Sequence, residues 1–298
     1  VVVPHHPHVV VEGGDEGLIA TGFYRLGVWD DEPDDKLQAE YDGLDDILRT
    51  TTETFLGLTA GCARCHDHMF DPISQKDYYS MLAYFRNVRN YEKPSDKGII
   101  QRQIEGGKAL SISEHGTVAP ETHVLIRGEA SKPSIEVQPR VPDVFSALSP
   151  EPEPAEKSSG RRLALAKWIT DSSNPLTARV MVNRIWQYHF GRGIVASPND
   201  FGRAGKPASN LELLDWLASE FVKSKWSIKH MHRVIMNTAA YQRSSDNNSE
   251  NFDKDPGNEN HWRMNLRRLE AETIRDRVLQ ISGQLNNKRG GPSFYPAL

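Results

Sequence analysis

Cysteine is scarce in this chain: the 298 residues contain two. With no second pair there is no disulfide framework and no closed four-cysteine zinc site. Long apolar runs are missing too. No stretch approaches the roughly 20 residues needed to cross a bilayer as a helix, so no transmembrane segment is expected. Excess charge is also lacking. A net charge of -4 gives no basic footprint for binding polyanions, so nucleic acid is not an expected partner. No internal repeat recurs. The chain opens Val1-Val2-Val3-Pro4, without an initiator methionine or a signal peptide, and reads as a processed or truncated product. Its length and apolar content allow one large domain or two modest ones, with enough material for a real core.

What the chain does have is Cys62-Ala63-Arg64-Cys65-His66, which uses both cysteines. Two thiols separated by two residues can each add across a haem vinyl group, and the following histidine is then held under the porphyrin to ligate iron. The expected cofactor is a single covalent haem c, with Cys62 and Cys65 as thioethers and His66 as the proximal ligand. Zinc is the main rival. It would need His66 or His68 together with a distant histidine to complete four ligands. A thioredoxin-type thiol pair fits less well, because nothing around the motif reads as part of a βαβ unit. Covalent haem attachment requires an exported, reduced apoprotein, which points to the periplasm, the extracellular space or the cell surface.

The expected fold is mainly α: a helical cytochrome-like domain, a short β or irregular connecting region, and a second helical domain. Residues 1–91 read as helices joined by acidic and glycine-containing loops. Leu37, Tyr41, Leu44, Ile47 and Leu48 recur at helical spacing in a helix entered through Asp34 and Asp35. A second helix is expected through Tyr78, Tyr79, Leu82 and Phe85. Over 92–156 the helical period fades, Thr122 to Gly128 reads as one strand with a turn, and Pro150-Glu151-Pro152-Glu153-Pro154 reads as a linker. Residues 157–298 are again helical. Asn174-Pro175 should open a helix that ends at Gly191. Ser209 and Glu212 form a capping box, and Ser227 opens another helix. Leu266, Leu269, Ile274, Val278, Ile281 and Leu285 predict a long amphipathic helix.

Several of these segments resemble a known family. Thr54 to Cys62, continuing to Asp71-Pro72-Ile73, is similar to the planctomycete-type cytochrome domain PSCyt2 (DUF1549), as are Ala20 to Gly27 and Trp29 to Pro33. Arg161 to Ile169, Asn174 to Arg184 and Leu269 to Glu272 resemble the companion PSD1 domain (DUF1553). The resemblance implies a large, exported, multidomain protein. The chain departs from the family by being short: the start of the first domain and the end of the second are expected in flanking segments, either cleaved from the same gene product or simply not included in this sequence.

If haem is bound, the sixth iron position decides the chemistry, and Met81, His115, His123 and His189 are its candidate ligands. His68 and Asp71, with Asp67, form a candidate cation site, or Asp71 orients His68 by hydrogen bonding; the structural alternative is a capped turn ending at Asp71-Pro72. The acidic group Asp30, Asp31, Glu32, Asp34 and Asp35 could hold calcium but lacks an EF-hand loop, and a solvated helix entrance suits it better. His189 could act as an acid or base, with Arg184 or Arg192 holding an anion, while Trp186 and Phe190 read as core. His5, His6 and His8 read as a terminal surface segment. The leading expectation is an exported c-type cytochrome that passes electrons to a redox partner protein or to a substrate at the second domain. The alternative is a hydrolase or oxidoreductase acting on an extracellular polymer, with the CxxCH structural or zinc-bound.

Overall fold

The computed structural model describes residues 15–27, 32–89, 91–93, 96–99, 101–104 and 107–287. His5, His6, His8, Trp29, Asp30 and Asp31 lie outside them. The chain forms two compact units, one reaching to Gln242 and one starting at Arg243.

The first unit opens with α1 (Asp15–Ala20) and a 3-10 turn (Thr21–Arg25). Helix α2 (Lys36–Thr51) starts where expected, because the Asp35 carboxylate accepts from the Gln38 N–H at 2.9 Å, satisfying one of the free donors of the first turn. It buries Tyr41, Leu44, Ile47 and Leu48 but leaves Leu37 exposed, since that side chain precedes the packed face. The helix then widens into a π-helical turn, Thr52–Leu56, which stops at Gly57 in the left-handed conformation (φ 60°). A 3-10 turn, Ala60–Arg64, follows and carries the cysteine motif. Helix α3 (Gln75–Leu82) is set by a reciprocal capping box between Ser74 and Asp77. It ends at Leu82, earlier than the apolar spacing suggested, and Phe85 is buried in the turn beyond it.

The connecting region holds more strand than the one expected. In chain order it contains β1 (Val88–Arg89), β2 (Tyr91–Lys93), β3 (Asp96–Ile99), β4 (Gln101–Ile104), β5 (Gly107–Leu110), β6 (Ser113–Glu114), β7 (Thr122–Leu125) and β8 (Pro133–Val137). They pair as four two-stranded antiparallel ladders, β1 with β6, β2 with β3, β4 with β5 and β7 with β8. Strand β7 stops at Leu125, after which Arg127 takes a positive φ of 55° in a tight turn.

Four helices complete this unit: α4 (Arg161–Thr170), α5 (Thr177–Phe190), α6 (Leu211–Lys223) and α7 (Ile228–Met236). Asn174 caps from outside the helix proper. Its carbonyl oxygen accepts from Leu176 N at 2.9 Å and Thr177 N at 3.3 Å, so α5 starts at Thr177 rather than at Pro175. The helix ends at Gly191 (φ 83°) as expected. The cap of α6 is Asn210, which accepts from Leu213 N at 2.9 Å, and not Ser209. Ser209 instead bonds the Ile194 carbonyl through both its N–H and its hydroxyl, which removes it from the proposed capping box. Ser227 caps α7 as expected.

One hydrophobic core runs through Leu48, Tyr78, Tyr79, Phe85, Leu125, Leu165 and Trp168. It draws on α2, α3, the β7–β8 ladder and α4, so it passes through the region read as connector. The second unit contains α8 (Ser249–Lys254) and α9 (Ala271–Ile281). The long helix expected from Leu266 to Leu285 is this eleven-residue α9, and Leu266, Leu269, Ile274, Val278 and Ile281 are exposed. The described architecture is mainly α with short sheets.

Candidate functional site

The CxxCH turn is anchored from beneath by its own arginine. Arg64 pairs with Asp42 and lies 3.4 Å from Asp45, both on α2. Its carbonyl accepts from Gln75 Nε2 at 2.9 Å and from the Tyr79 hydroxyl at 3.1 Å, both on α3. Gln75 Nε2 also reaches the Leu125 carbonyl at 3.0 Å, joining the motif to β7. Tyr78 donates to Asp45 at 2.5 Å. Burial, and then the neighbouring Asp45 charge, push the Tyr78 phenol far above its ordinary value, so it stays a donor.

This anchoring turns the reactive groups outward. Both Cys62 and Cys65 are free and exposed, while Ala63 between them is fully buried. Gly128 comes up against the motif at φ 76°, and a methyl group there would stand 3.2 Å from Cys65 Sγ. His66 is exposed, with Nδ1 2.6 Å from the Asp67 carbonyl. A carbonyl can only accept, so Nδ1 carries a proton, and in the neutral imidazole the Nε2 lone pair is left available. That is the tautomer a metal-ligating imidazole needs, fixed by a backbone acceptor as in many metal sites.

His68 is in a different state. Its side chain is 3% exposed. Nδ1 accepts from Asp71 N at 2.9 Å and Phe70 N at 3.2 Å, and Nε2 faces the Thr59 hydroxyl at 3.1 Å. Both ring nitrogens are committed to the turn, which is the capped-turn alternative for this residue. The Asp71 carboxylate does not hydrogen-bond His68; its Oδ2 lies 3.7 Å from Nδ1. The Asp71 carboxylate instead receives Arg203 N on Oδ1 at 2.8 Å, and a side chain at Gly202 would collide with it.

The other candidates are dispersed. Met81 is fully buried on α3 within the core. His115 is exposed beside β6, where its backbone N–H bonds the Asn87 carbonyl. His123 lies on β7, with Nε2 3.9 Å from Glu121. His189, near the end of α5, faces His232 of α7 at 2.8 Å through Nε2 and packs edge-on to Tyr241. Trp186 and Phe190 stack in the interior at 4.2 Å between ring centroids, in keeping with a core role. Arg184 binds the Glu53 carbonyl and the Asn199 side chain. Sequence spacing could not reveal the partners His232, Glu136 and Gly128, because each reaches its site through tertiary pairing.

These features define a mainly helical protein that displays an anchored CxxCH turn on the outside of a filled core. Family comparison takes the assignment further. Residues 5–90 match the PSCyt2 family model, described as a protein of unknown function (DUF1549). Residues 161–298 match the PSD1 family model, a protein of unknown function (DUF1553). The chain therefore carries both domains named from the sequence resemblance. Searches of curated proteins and of solved structures returned no match.

Proposed function

We propose that the chain is an exported c-type cytochrome that holds one haem through Cys62, Cys65 and His66 and transfers electrons to a redox partner or to a substrate at the PSD1 region. The observation that carries this reading is the state of the motif. Two exposed thiols flank a buried alanine, and the histidine keeps Nε2 available while Nδ1 is tied to a backbone carbonyl. The donor set and its outward direction fit a c-type haem. When bound, haem supplies one-electron exchange, with a potential set by its axial ligands and its exposure to solvent. The protein's own contribution is positional. The Arg64 clamp fixes the turn, Gly128 leaves room beside Cys65, and the Asp67 carbonyl sets the His66 tautomer. Exposed Met69 and Phe70 follow the motif, and exposed Ile126 lies two residues from Gly128, so apolar surface is on offer to a porphyrin.

The test is an intact mass together with a pyridine haemochrome spectrum, on protein from cells that mature cytochromes c. One added haem mass and a spectrum of two thioether links are expected. The Cys65→Ser protein should retain at most one link and show a shifted band. His66→Ala should lose covalent haem, whereas His68→Ala should keep it, with reduced stability. Wild-type protein of apo mass with no Soret band would refute the cytochrome reading, and zinc recovered with both cysteines would replace it.

A further inference from the structure

The β7–β8 ladder carries a second set of ligands, made of residues other than those of the cysteine turn and independent of the cytochrome reading. His123 on β7 pairs directly with Glu136 on β8. Directly paired residues project from the same face of a sheet, and so does a residue two positions along one strand. Glu121 stands just before β7, two residues from His123, and its carboxylate reaches the same cluster. The neighbours Thr122 and Val124 turn inward and are buried, which fixes the face by alternation. A nitrogen of His123 and a carboxylate oxygen from each glutamate lie within 4.8 Å of one another.

Electrostatics favour a cation here. Like charges brought together on a sheet repel, and no Lys or Arg among the described residues forms an ion pair with either glutamate. Among the described residues, the ion-pair contact within this cluster is His123 Nε2 to Glu121 Oε2 at 3.9 Å, attractive only when the imidazole is protonated. Glu136 is further oriented by Gln138 Nε2, which donates to its Oε1 at 2.7 Å. Two carboxylates and one neutral imidazole carry two negative charges, which a divalent ion neutralises.

We propose that Glu121, His123 and Glu136 form a binding site for a first-row divalent metal ion of the zinc class, with water completing the coordination. One nitrogen and two carboxylate oxygens suit zinc, whose bonds to such donors are about 2.0–2.2 Å, and the imidazole disfavours calcium and magnesium, which take all-oxygen shells. Small side-chain rotations bring the three donors onto a common ion, because their ligand atoms already lie within 4.8 Å of one another. The site also assigns His123 to a surface ion, removing it from the candidates for the sixth haem position.

The test is a titration of the full-length protein with Co2+, a spectroscopic probe for zinc sites, followed by displacement with Zn2+. One equivalent should bind and give visible d–d bands. Binding at Cys62 and Cys65 would announce itself by thiolate-to-cobalt charge transfer in the near ultraviolet, which separates the two sites. His123→Gln should weaken this binding by more than about tenfold, since losing even an outer partner of a metal ligand has effects of that order, and Glu136→Gln should weaken it as well. Zn2+ should raise the melting temperature of the wild type more than that of His123→Gln. All three side chains lie at or near the surface, and circular dichroism will verify that the variants fold. Unchanged cobalt binding in His123→Gln would overturn the proposal, as would no binding at 100-fold excess of Co2+.

Discussion

Replacing Glu114 with glutamine should destabilise the first unit by about 2–3 kcal/mol, at or just below the lower end of the about 3–5 kcal/mol that breaking a buried ion pair costs. The carboxylate is 4% exposed and accepts from three directions. Arg162 donates from Nε at 3.0 Å and Nη2 at 2.9 Å. Ser159 donates from its backbone N–H at 2.8 Å, and Asn87 from Nδ2 at 2.8 Å. Glutamine keeps the volume but presents an NH2 to a ring of donors and leaves the Arg162 charge without its partner. A guanidinium a quarter exposed recovers some hydration, which holds the loss near that lower end. Burial alone would raise the Glu114 pKa; the Ser159 N–H and Arg162 outweigh it and bring it below its ordinary value of 4.5. A lowered folded pKa means that the stabilisation is fully present above the unfolded value and is lost as pH falls through the folded one. Urea unfolding followed by the fluorescence of buried Trp168 and Trp186 should therefore show a wild-type advantage at neutral pH that shrinks below about pH 4.5. A difference under about 0.5 kcal/mol at pH 7, or one that does not change with pH, would refute the reasoning.

Gly57→Ala should cost about 2–4 kcal/mol, combining a left-handed alanine with overpacking. Its new methyl group would stand 2.8 Å from Phe201 Cδ2 and 3.0 Å from Val180 Cγ2, and the same urea assay reads the loss. Tyr78→Phe should cost about 1.5–3 kcal/mol, the range for a hydrogen bond to a charged group, because Asp45 loses its 2.5 Å donor. A double-mutant cycle with Asp45→Asn should return most of that energy as coupling, and additive losses would count against the contact.

Local signals were read from the sequence with success where the physics is local. Asp35 and Ser227 cap their helices as short-range hydrogen bonding requires, and Gly191 ends α5 in the left-handed region. Where two residue types compete for one cap, the pattern alone fails. Asn210 outcompetes Ser209 because the tertiary contact to Ile194 holds the serine in the preceding loop. The strands β1 and β6 were missed because two residues carry too few positions for alternation to show. The cysteine motif itself was legible from spacing. The difference between His66 and His68 was not, since it depends on which ring nitrogens the folded turn occupies.

The proline run at 150–154 shows the same limit at the level of domains. Its composition reads as a linker, and the two family matches do fall on either side of it. Yet Trp168 and Leu165, beyond the run, share a core with Leu48 and Tyr78, before it. The segments on both sides of the cysteine motif are clasped from the far side of the run as well: Phe201 N bonds the Gly57 carbonyl at 2.8 Å, before the motif, and Arg203 N bonds Asp71 at 2.8 Å, after it. A proline-rich segment reports only that it cannot itself be helix or central strand. Whether its flanks separate depends on apolar surface that each leaves unburied, and here α4 and the β7–β8 ladder complete the core that α2 and α3 begin. The segments flanking the cysteine turn are therefore held by residues of both family matches, so proline at Phe201 or Arg203, which removes the donating N–H, can disturb a cysteine motif more than 130 residues earlier in the chain.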